Sequence, residues 1–223
     1  MISNQEFRKY AHQFVDWIAD YLENIEQYPV RSQSKPGEIY RSLPESIPEN
    51  GESIDIIFKD FKDLLLPGIT HWQSPNFFAY FPANSSYPSL LAEMLTAAMG
   101  TQAMKWVTSP AAAELEERTV NWLKEMIGIP SRYSGVIQDS ASSATLCAIL
   151  SAREKFSNLS INAEGLYQKP VFKIYCSTET HSSIEKAVKI AGLGKLNLSK
   201  IDVDDQLALR PELLEKQIQS DID

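Results

Sequence analysis

The sequence is poor in the residues that build disulfide frameworks and metal centres. It has two cysteines, Cys147 and Cys176, and three histidines among 223 residues. Each cysteine stands alone in an apolar run, which favours a buried free thiol, and no histidine pair with helical spacing lies beside a carboxylate. We therefore expect neither a disulfide nor a metal site. Isolated thiols of this kind fit a reducing, cytoplasmic compartment.

Basic stripes and long apolar runs are also missing. The 21 Lys and Arg residues are outnumbered by 29 Asp and Glu residues, which gives a formal net charge of -8. Nucleic-acid backbones are bound by clustered Lys and Arg, so we expect no nucleic-acid partner. No segment approaches the roughly 20 apolar residues that a transmembrane helix needs. The first residues lack a basic region followed by an apolar run, so we expect neither a membrane span nor a secretory signal.

The N-terminal part contains two amphipathic helices separated by a linker. Ser3 and Glu6 have the spacing of a capping box, and apolar residues then recur at helical spacing as far as Leu22. Residues 27–52 are rich in proline and glycine, which predicts an irregular linker. Residues 54–65 form a second apolar stripe that a Pro-Gly pair ends. The pattern fits either a self-contained helical hairpin or an arm that packs on another surface.

The C-terminal part alternates between strand and helix patterns. Helices are predicted at about 89–100 and 110–128, strands at 135–137, 171–176 and 196–203, and further helices at 144–153, 182–191 and 210–219. Such alternation predicts βαβ units and a parallel sheet. A parallel sheet of so few strands exposes its edges, so we expect the protein to continue beyond residue 223.

Two segments of this α/β part have the composition of a ligand site. Residues 138–145 place small hydroxyl side chains between a predicted strand and a helix, where free backbone N–H groups can bind an anion. A plain helix cap is the alternative. His181 follows the next predicted strand, and the carboxyl ends of parallel strands face the ligand crevice. A structural or solvated histidine is the alternative there.

The loop at residues 70–82 is dense in aromatic side chains. Because loops normally run over the surface, so many rings need either a core or an apolar ligand. An aromatic ligand pocket and simple core packing are both consistent with the pattern.

Several short motifs occur along the chain in a characteristic order. They are Pro67–Trp72, Phe77–Pro82, Ser85–Pro88, Ser109–Ala111 with Glu114–Glu116, Gly135–Gln138, Ser140–Ser142 and His181–Ser183. As an ordered set they resemble the aromatic-L-amino-acid decarboxylases, or group II decarboxylases, which depend on pyridoxal 5'-phosphate (PLP). The resemblance extends from the first helix to about residue 200.

The resemblance implies a fold and an assembly. The fold is the α/β fold of PLP-dependent transferases, also called aspartate-aminotransferase-like. Residues 1–87 would form an N-terminal helical arm and the aromatic loop. Residues 88–223 would begin the PLP-binding large domain with the first part of its mostly parallel sheet. The family pattern further implies a homodimer in which the arm wraps around the partner subunit.

The resemblance also implies roles for individual residues. Ala141 and Ser142 match positions that hold the PLP phosphate, and His181 matches a catalytic histidine that stacks on the cofactor ring and contacts the substrate. The positions matching the substrate pocket are Trp72, Tyr80, Phe81, Pro82 and Ala83, together with Gln102 and Met104, which would reach the partner's pocket. Four residues depart from the pattern. Gln102 and Met104 stand where animal members often have a bulkier apolar pair. Ala83 stands where a threonine is frequent, and Asp139 stands where a glycine is common.

The implied activity is decarboxylation of an aromatic L-amino acid to its amine and CO2. The Schiff-base lysine of the family lies in an Asn-Pro-His-Lys-type motif, and none of the lysines here has that context. The 223 residues are therefore expected to be an inactive fragment. The alternatives are an aromatic aldehyde synthase of the same family and a truncated, non-catalytic dimerisation or binding partner. Tryptophan, tyrosine, phenylalanine and dihydroxyphenylalanine all stay open as substrates.

Overall fold

The computed structural model describes residues 2–83 and 85–223. It contains two compact units, one extending to Gly100 and the other running from Thr101 to Asp223. The division between residues 87 and 88 stays a prediction, because compactness alone does not decide which residues belong to an arm.

The first unit is built from helices. They are α1 (Asn4–Glu23), α2 (Glu38–Ser42), α3 (Ile54–Asp60) and α4 (Tyr87–Met99), with 3-10 turns at Ile25–Gln27 and Leu66–Gly68 and a π-helical turn at Phe61–Leu65. The predicted capping box of α1 is confirmed. The hydroxyl of Ser3 accepts the backbone N–H of Glu6 at 3.2 Å, and the Glu6 carboxylate accepts the Ser3 N–H at 2.8 Å. The linker is mostly irregular, as predicted, although the pattern did not reveal α2.

Helices α1 and α3 pack against each other through aromatic rings. The ring centroids of Phe14 and Phe58 are 4.6 Å apart, and Trp17 meets the edge of Phe58 at 5.7 Å. The hydroxyl of Tyr10 donates to Asp55 at 2.8 Å. The two helices therefore contact each other directly. Large apolar side chains such as Phe7 nevertheless stay exposed.

The second unit combines helices with a small sheet. Its elements are α5 (Pro110–Met126), α6 (Ala141–Phe156), α7 (Ser160–Glu164), β1 (Ile174–Ser177), α8 (Ser183–Ile190), β2 (Leu198–Ile201) and α9 (Pro211–Ile222), with 3-10 turns at Trp106–Thr108 and Lys195–Asn197. Strands β1 and β2 pair in parallel, with Ile174 opposite Leu198 and Ser177 opposite Ile201. Helix α8 connects them, so the predicted βαβ unit is present.

The core of this second unit lies around α8. Val188, Ala191 and Leu193 are buried together. Partly buried apolar side chains pack against them from α6, the strands and the intervening loops: Leu146, Ile149, Leu150, Leu166, Phe172, Ile174, Ile184 and Leu198. Apolar burial of this kind is the main stabilising contribution to folding.

Two expectations from the sequence are wrong. Within the described residues the sheet contains only β1 and β2, so residues 135–137 do not form a strand. The backbone N–H of Ile137 donates instead to the carboxylate of Glu116 at 2.8 Å. An apolar run becomes a strand only where a second strand satisfies its backbone groups. Cys147 is exposed, and Cys176 only half-buried, where the apolar surroundings predicted buried thiols.

Candidate functional site

The start of α6 presents unpaired backbone donors. Ser140 is the N-cap, and its hydroxyl accepts the backbone N–H of Ser143 at 3.2 Å. The N–H groups of Ala141 and Ser142, the first two helical residues, have no acceptor within the described part of the chain. Both residues are exposed and small, so an anion can approach their backbone closely. The helix dipole adds a favourable field for negative charge at this point.

Asp139 lies immediately before this helix start. Its carboxylate accepts a hydrogen bond from the hydroxyl of Ser143. The negative charge of Asp139 thus already benefits from the helix terminus and repels a second anion. The free N–H groups and small side chains suit a phosphate, so the residues present fit the phosphate of PLP. Asp139 is the group that opposes it.

His181 lies in the loop between β1 and α8, after the carboxyl end of β1. Its Nδ1 accepts the backbone N–H of Ser183 at 3.2 Å and lies 3.0 Å from the Ser183 hydroxyl oxygen. Because a backbone N–H can only donate, Nδ1 is the acceptor, and in the neutral ring the proton is on Nε2. The ring is exposed, so Nε2 is available to a ligand.

Ser142 lies in the first turn of α6 and His181 lies in the loop just before α8, and both helices pack on the same core cluster. Leu146 and Ile184, near the beginnings of α6 and α8, pack against the same core cluster. At the other ends of these helices, the Arg153 guanidinium donates to the backbone oxygen of Ala191 at 2.8 Å. The C-terminal parts of α6 and α8 are therefore joined by a hydrogen bond. The loop that carries His181 follows the carboxyl end of β1, the end at which α/β sheets place their ligand crevice.

The aromatic loop of the first unit borders an open cavity of about 510 Å³. Trp72 and Tyr80 line it together with Phe77 and Thr70. The ring centroids of Trp72 and Phe77 are 4.6 Å apart, and those of Trp72 and Tyr80 are 5.7 Å apart with nearly parallel planes. Tyr80 has a backbone φ of +59°, a left-handed conformation that is uncommon for an aromatic residue. Such conformations concentrate at functional sites.

Other predicted pocket residues lie outside this cavity. Phe81 is fully exposed and, like Pro82 and Ala83, does not line it. The backbone oxygen of Ala83 accepts the side-chain amide of Gln73 at 2.8 Å, which fixes the end of the loop.

Gln102 and Met104 belong to the second unit, where both are exposed. The hydroxyl of Thr108 donates to the backbone oxygen of Gln102 at 2.6 Å and approaches the sulfur of Met104 at 3.9 Å. Their contribution to a partner's pocket stays a prediction.

Sequence reasoning missed His71 and Arg31. His71 is 2% exposed and its Nδ1 shares a hydrogen bond of 2.6 Å with the hydroxyl of Tyr21. Burial lowers the pKa of His71 and raises that of Tyr21. Arg31 lines the aromatic cavity from the linker. The position of His71 next to Trp72 in the sequence could have indicated that His71 belongs to this region. No feature of the linker sequence indicated that Arg31 lines the cavity.

Two classes of feature are absent from the described residues. They contain no cluster of His, Cys, Asp and Glu side chains that could hold a metal ion. None of the helices described in residues 2–83 and 85–223 is long and apolar enough to cross a membrane.

The parallel βαβ unit defines the second unit as part of an α/β domain. Comparison with known proteins identifies the family to which this domain belongs. Residues 36–223 match the family model described as "Pyridoxal-dependent decarboxylase conserved domain". The chain therefore belongs to the pyridoxal-dependent decarboxylase family, whose cofactor is PLP.

Relatives of known function agree with this assignment. The chain is 40% identical to phenylacetaldehyde synthase of Arabidopsis thaliana, over 100% of this chain and 46% of that protein. It is also 40% identical to tyrosine decarboxylase 2 of Narcissus pseudonarcissus, over 98% and 44% of the two chains. The chain thus spans about half the length of the curated relatives it matches.

The structural comparison confirms the predicted fold. The crystal structure of Catharanthus roseus tryptophan decarboxylase in complex with L-tryptophan superimposes with a TM-score of 0.90 at 37% identity. The match covers 99% of this chain and 47% of that one. The helical first part and the small parallel sheet are therefore elements of a PLP-dependent decarboxylase fold.

Proposed function

We propose that the protein containing this chain catalyses PLP-dependent decarboxylation of aromatic L-amino acids. The observation that carries the proposal is the start of α6, where the unpaired backbone N–H groups of Ala141 and Ser142 are exposed beside small side chains. Family membership and the relatives' names support the same chemistry. The aromatic cavity of the first unit supports an aromatic side chain as the substrate class.

In this proposal the start of α6 anchors the cofactor. The backbone N–H groups of Ala141 and Ser142 donate to its phosphate. The side-chain hydroxyl of Ser142 adds a third donor. Bound there, PLP supplies a ring that accepts the electron pair left when the carboxyl group departs as CO2.

His181 is proposed as the catalytic histidine. Its ring orientation is held by the Ser183 N–H on Nδ1, which leaves the Nε2 proton free for the substrate or the cofactor ring. Trp72 and Tyr80 offer aromatic faces to the substrate ring. We further propose that Phe81, Pro82, Ala83, Gln102 and Met104 complete the pocket in an assembled homodimer, with the first helices wrapping the partner, in the cytoplasm.

The test is product analysis with the native polypeptide, purified from its source with cofactor and supplied with phenylalanine, tyrosine or tryptophan. Decarboxylation consumes one proton and releases one CO2 and one amine per amino acid. Equimolar amine and CO2 without oxygen uptake is the expected result. The variants Ser142→Ala and His181→Gln should lower turnover, the first through weaker cofactor binding and the second at saturating cofactor. A folded native protein that releases no CO2 would support the non-catalytic alternative instead.

An aldehyde synthase is the second candidate, because phenylacetaldehyde synthase of Arabidopsis thaliana is as similar to this chain as the tyrosine decarboxylase is. That reaction takes up O2 and water and releases aldehyde, CO2, ammonia and hydrogen peroxide. Peroxide formed in equal amount to CO2 would identify it.

We also propose that the lysine which carries the cofactor lies outside these 223 residues. Several lysines of the second unit are already engaged with carboxylates: Lys169, Lys173, Lys189, Lys195 and Lys200. Borohydride reduction of the native holoprotein, followed by peptide mapping, would locate the modified lysine. A modified peptide from within this chain would contradict the proposal.

A further inference from the structure

The aromatic cavity of the first unit has one charged residue in its lining. Trp72, Phe77 and Tyr80 provide aromatic faces, whereas Arg31 brings a positive charge. Within the described residues the Arg31 guanidinium has no ion pair and no hydrogen bond. Arg31 is exposed to solvent, so its guanidinium is free to pair with an anionic group on an aromatic ligand in the cavity.

The position of Arg31 is fixed by its neighbours in the linker. The backbone oxygen of Val30 accepts the N–H of His71 at 2.9 Å. On the other side, the Ser32 hydroxyl donates to the backbone oxygen of Pro67 at 3.0 Å, and the Ser32 N–H reaches the Thr70 hydroxyl at 3.5 Å. Hydrogen bonds therefore hold the backbone on both sides of Arg31 against the segment that leads into the aromatic loop.

The cavity is large enough for such a ligand. Its volume of about 510 Å³ falls within the range of roughly 300–1,000 Å³ typical of small-molecule sites. The nearly parallel rings of Trp72 and Tyr80 offer stacking surfaces to a planar ring.

We propose that Arg31 binds the carboxylate of an aromatic amino acid whose ring occupies this cavity. The proposal rests on the proposed function for the choice of an amino acid, and it adds a specificity-determining residue that selects aromatic acids over aromatic amines. Decarboxylation converts the aromatic amino acid into the aromatic amine, so Arg31 favours binding of the substrate over binding of the product at this cavity.

Arg31 acts on capture of the substrate and not on the loss of CO2. An ion pair to the carboxylate stabilises the bound substrate, and the same charge is dispersed as CO2 departs. Interactions that are no stronger in the transition state than in the ground state do not raise kcat. Removal of the Arg31 charge should therefore raise KM and leave kcat unchanged or slightly higher.

The test uses two probes that lack an amino group, so neither can react with the cofactor. The first is 3-phenylpropionate, which carries the carboxylate, and the second is its neutral analogue 3-phenylpropanamide. Their affinities are measured by calorimetry on the native holoprotein and on its Arg31→Gln, Arg31→Lys and Lys35→Gln variants. Lys35→Gln is the matched control, because it removes the same charge from the same linker outside the cavity.

The expected result for Arg31→Gln is at least a tenfold loss of affinity for 3-phenylpropionate with an unchanged affinity for the amide. Arg31→Lys should retain part of the affinity, and Lys35→Gln should leave it unchanged. Equal losses for both probes, no loss for either, or no binding of 3-phenylpropionate by the native protein would overturn the proposal. Absence of CO2 release by the native protein would defeat the proposed function, whereas the probe titrations still decide the role of Arg31.

Discussion

The hydroxyl of Tyr21 lies 2.6 Å from Nδ1 of His71, a residue 50 positions later in the sequence. This hydrogen bond joins α1 to the residue that precedes Trp72 in the aromatic loop. Tyr28 adds a ring contact to each partner, with centroids 5.3 Å from Tyr21 and 5.0 Å from His71. The first helix and the aromatic cavity are thereby connected through one buried imidazole.

Replacement of Tyr21 by phenylalanine should destabilise the first unit. The change leaves Nδ1 of the buried His71 without its partner, which costs about 1–3 kcal/mol in unfolding free energy. Urea unfolding of the native protein, followed by tryptophan fluorescence, measures the effect. Tyr40→Phe is the matched control, because the Tyr40 side chain is 83% exposed and makes no hydrogen bond within the described residues. Equal stability of the two variants would show that the Tyr21 hydroxyl contributes nothing.

Stability should fall as the pH is lowered through the titration of His71. Burial holds the pKa of His71 below its ordinary value of 6.5, so the unfolded chain takes up a proton at a higher pH than the folded one. The contribution of neutral, buried His71 to the unfolding free energy is fully present above pH 6.5. It is lost as the pH falls through the lowered pKa. Unfolding free energies measured from pH 8 to pH 5 should show this decline. His71→Gln should flatten the decline, and His12→Gln, at an exposed position of α1, should not.

The Ser140 cap should contribute measurably to the second unit. Ser140→Ala removes the acceptor for the Ser143 N–H and should lower the unfolding free energy by about 1 kcal/mol. The comparison variant is Ser151→Ala, at an exposed position in the middle of α6, where alanine is at least as favourable as serine. An Ser140→Ala protein as stable as the Ser151→Ala protein would contradict the capping role.

Removal of the Asp139 charge should tighten cofactor binding. The Asp139 carboxylate lies one residue before the N-cap that precedes the proposed phosphate donors, and it repels the phosphate. Asp139→Asn should increase the affinity for PLP by roughly three- to tenfold, the size expected for one charge a few ångströms away near the surface. Titration of the native apoprotein with PLP, followed by absorbance, measures it. Asp205→Asn, in an exposed turn, should leave the affinity unchanged. A weaker affinity in Asp139→Asn would mean that the carboxylate supports the site.

Local chemistry made much of this fold predictable. The helix starts at Ser3 and Ser140 follow from side chains that reach backbone groups three residues away. The alternation of patterns predicted the parallel pair β1 and β2, although their bounds were narrower than the apolar runs. The position of His181 after the carboxyl end of β1 follows from the same topology.

Features that depend on distant residues were not predictable. Residues 135–137 have the composition of a strand, yet strand formation depends on a neighbour that local sequence does not specify. Gly135 itself lies so close to Val120 that an added Cβ would be 2.8 Å from its side chain. The bond between Tyr21 and His71 and the place of Arg31 in the cavity both depend on how the linker folds back. No periodic pattern in the sequence specifies the path of the linker.

The parallel pair of strands is completed within one continuous stretch, from Ile174 in β1 to Ile201 in β2. Every member of the core cluster around Val188 lies inside this stretch or before it. During synthesis on the ribosome, this nucleus is therefore complete once Ile201 has left the exit tunnel. Contacts between residues near in sequence form quickly. The β1–α8–β2 segment can thus pair and pack before the residues that follow Ile201 have emerged.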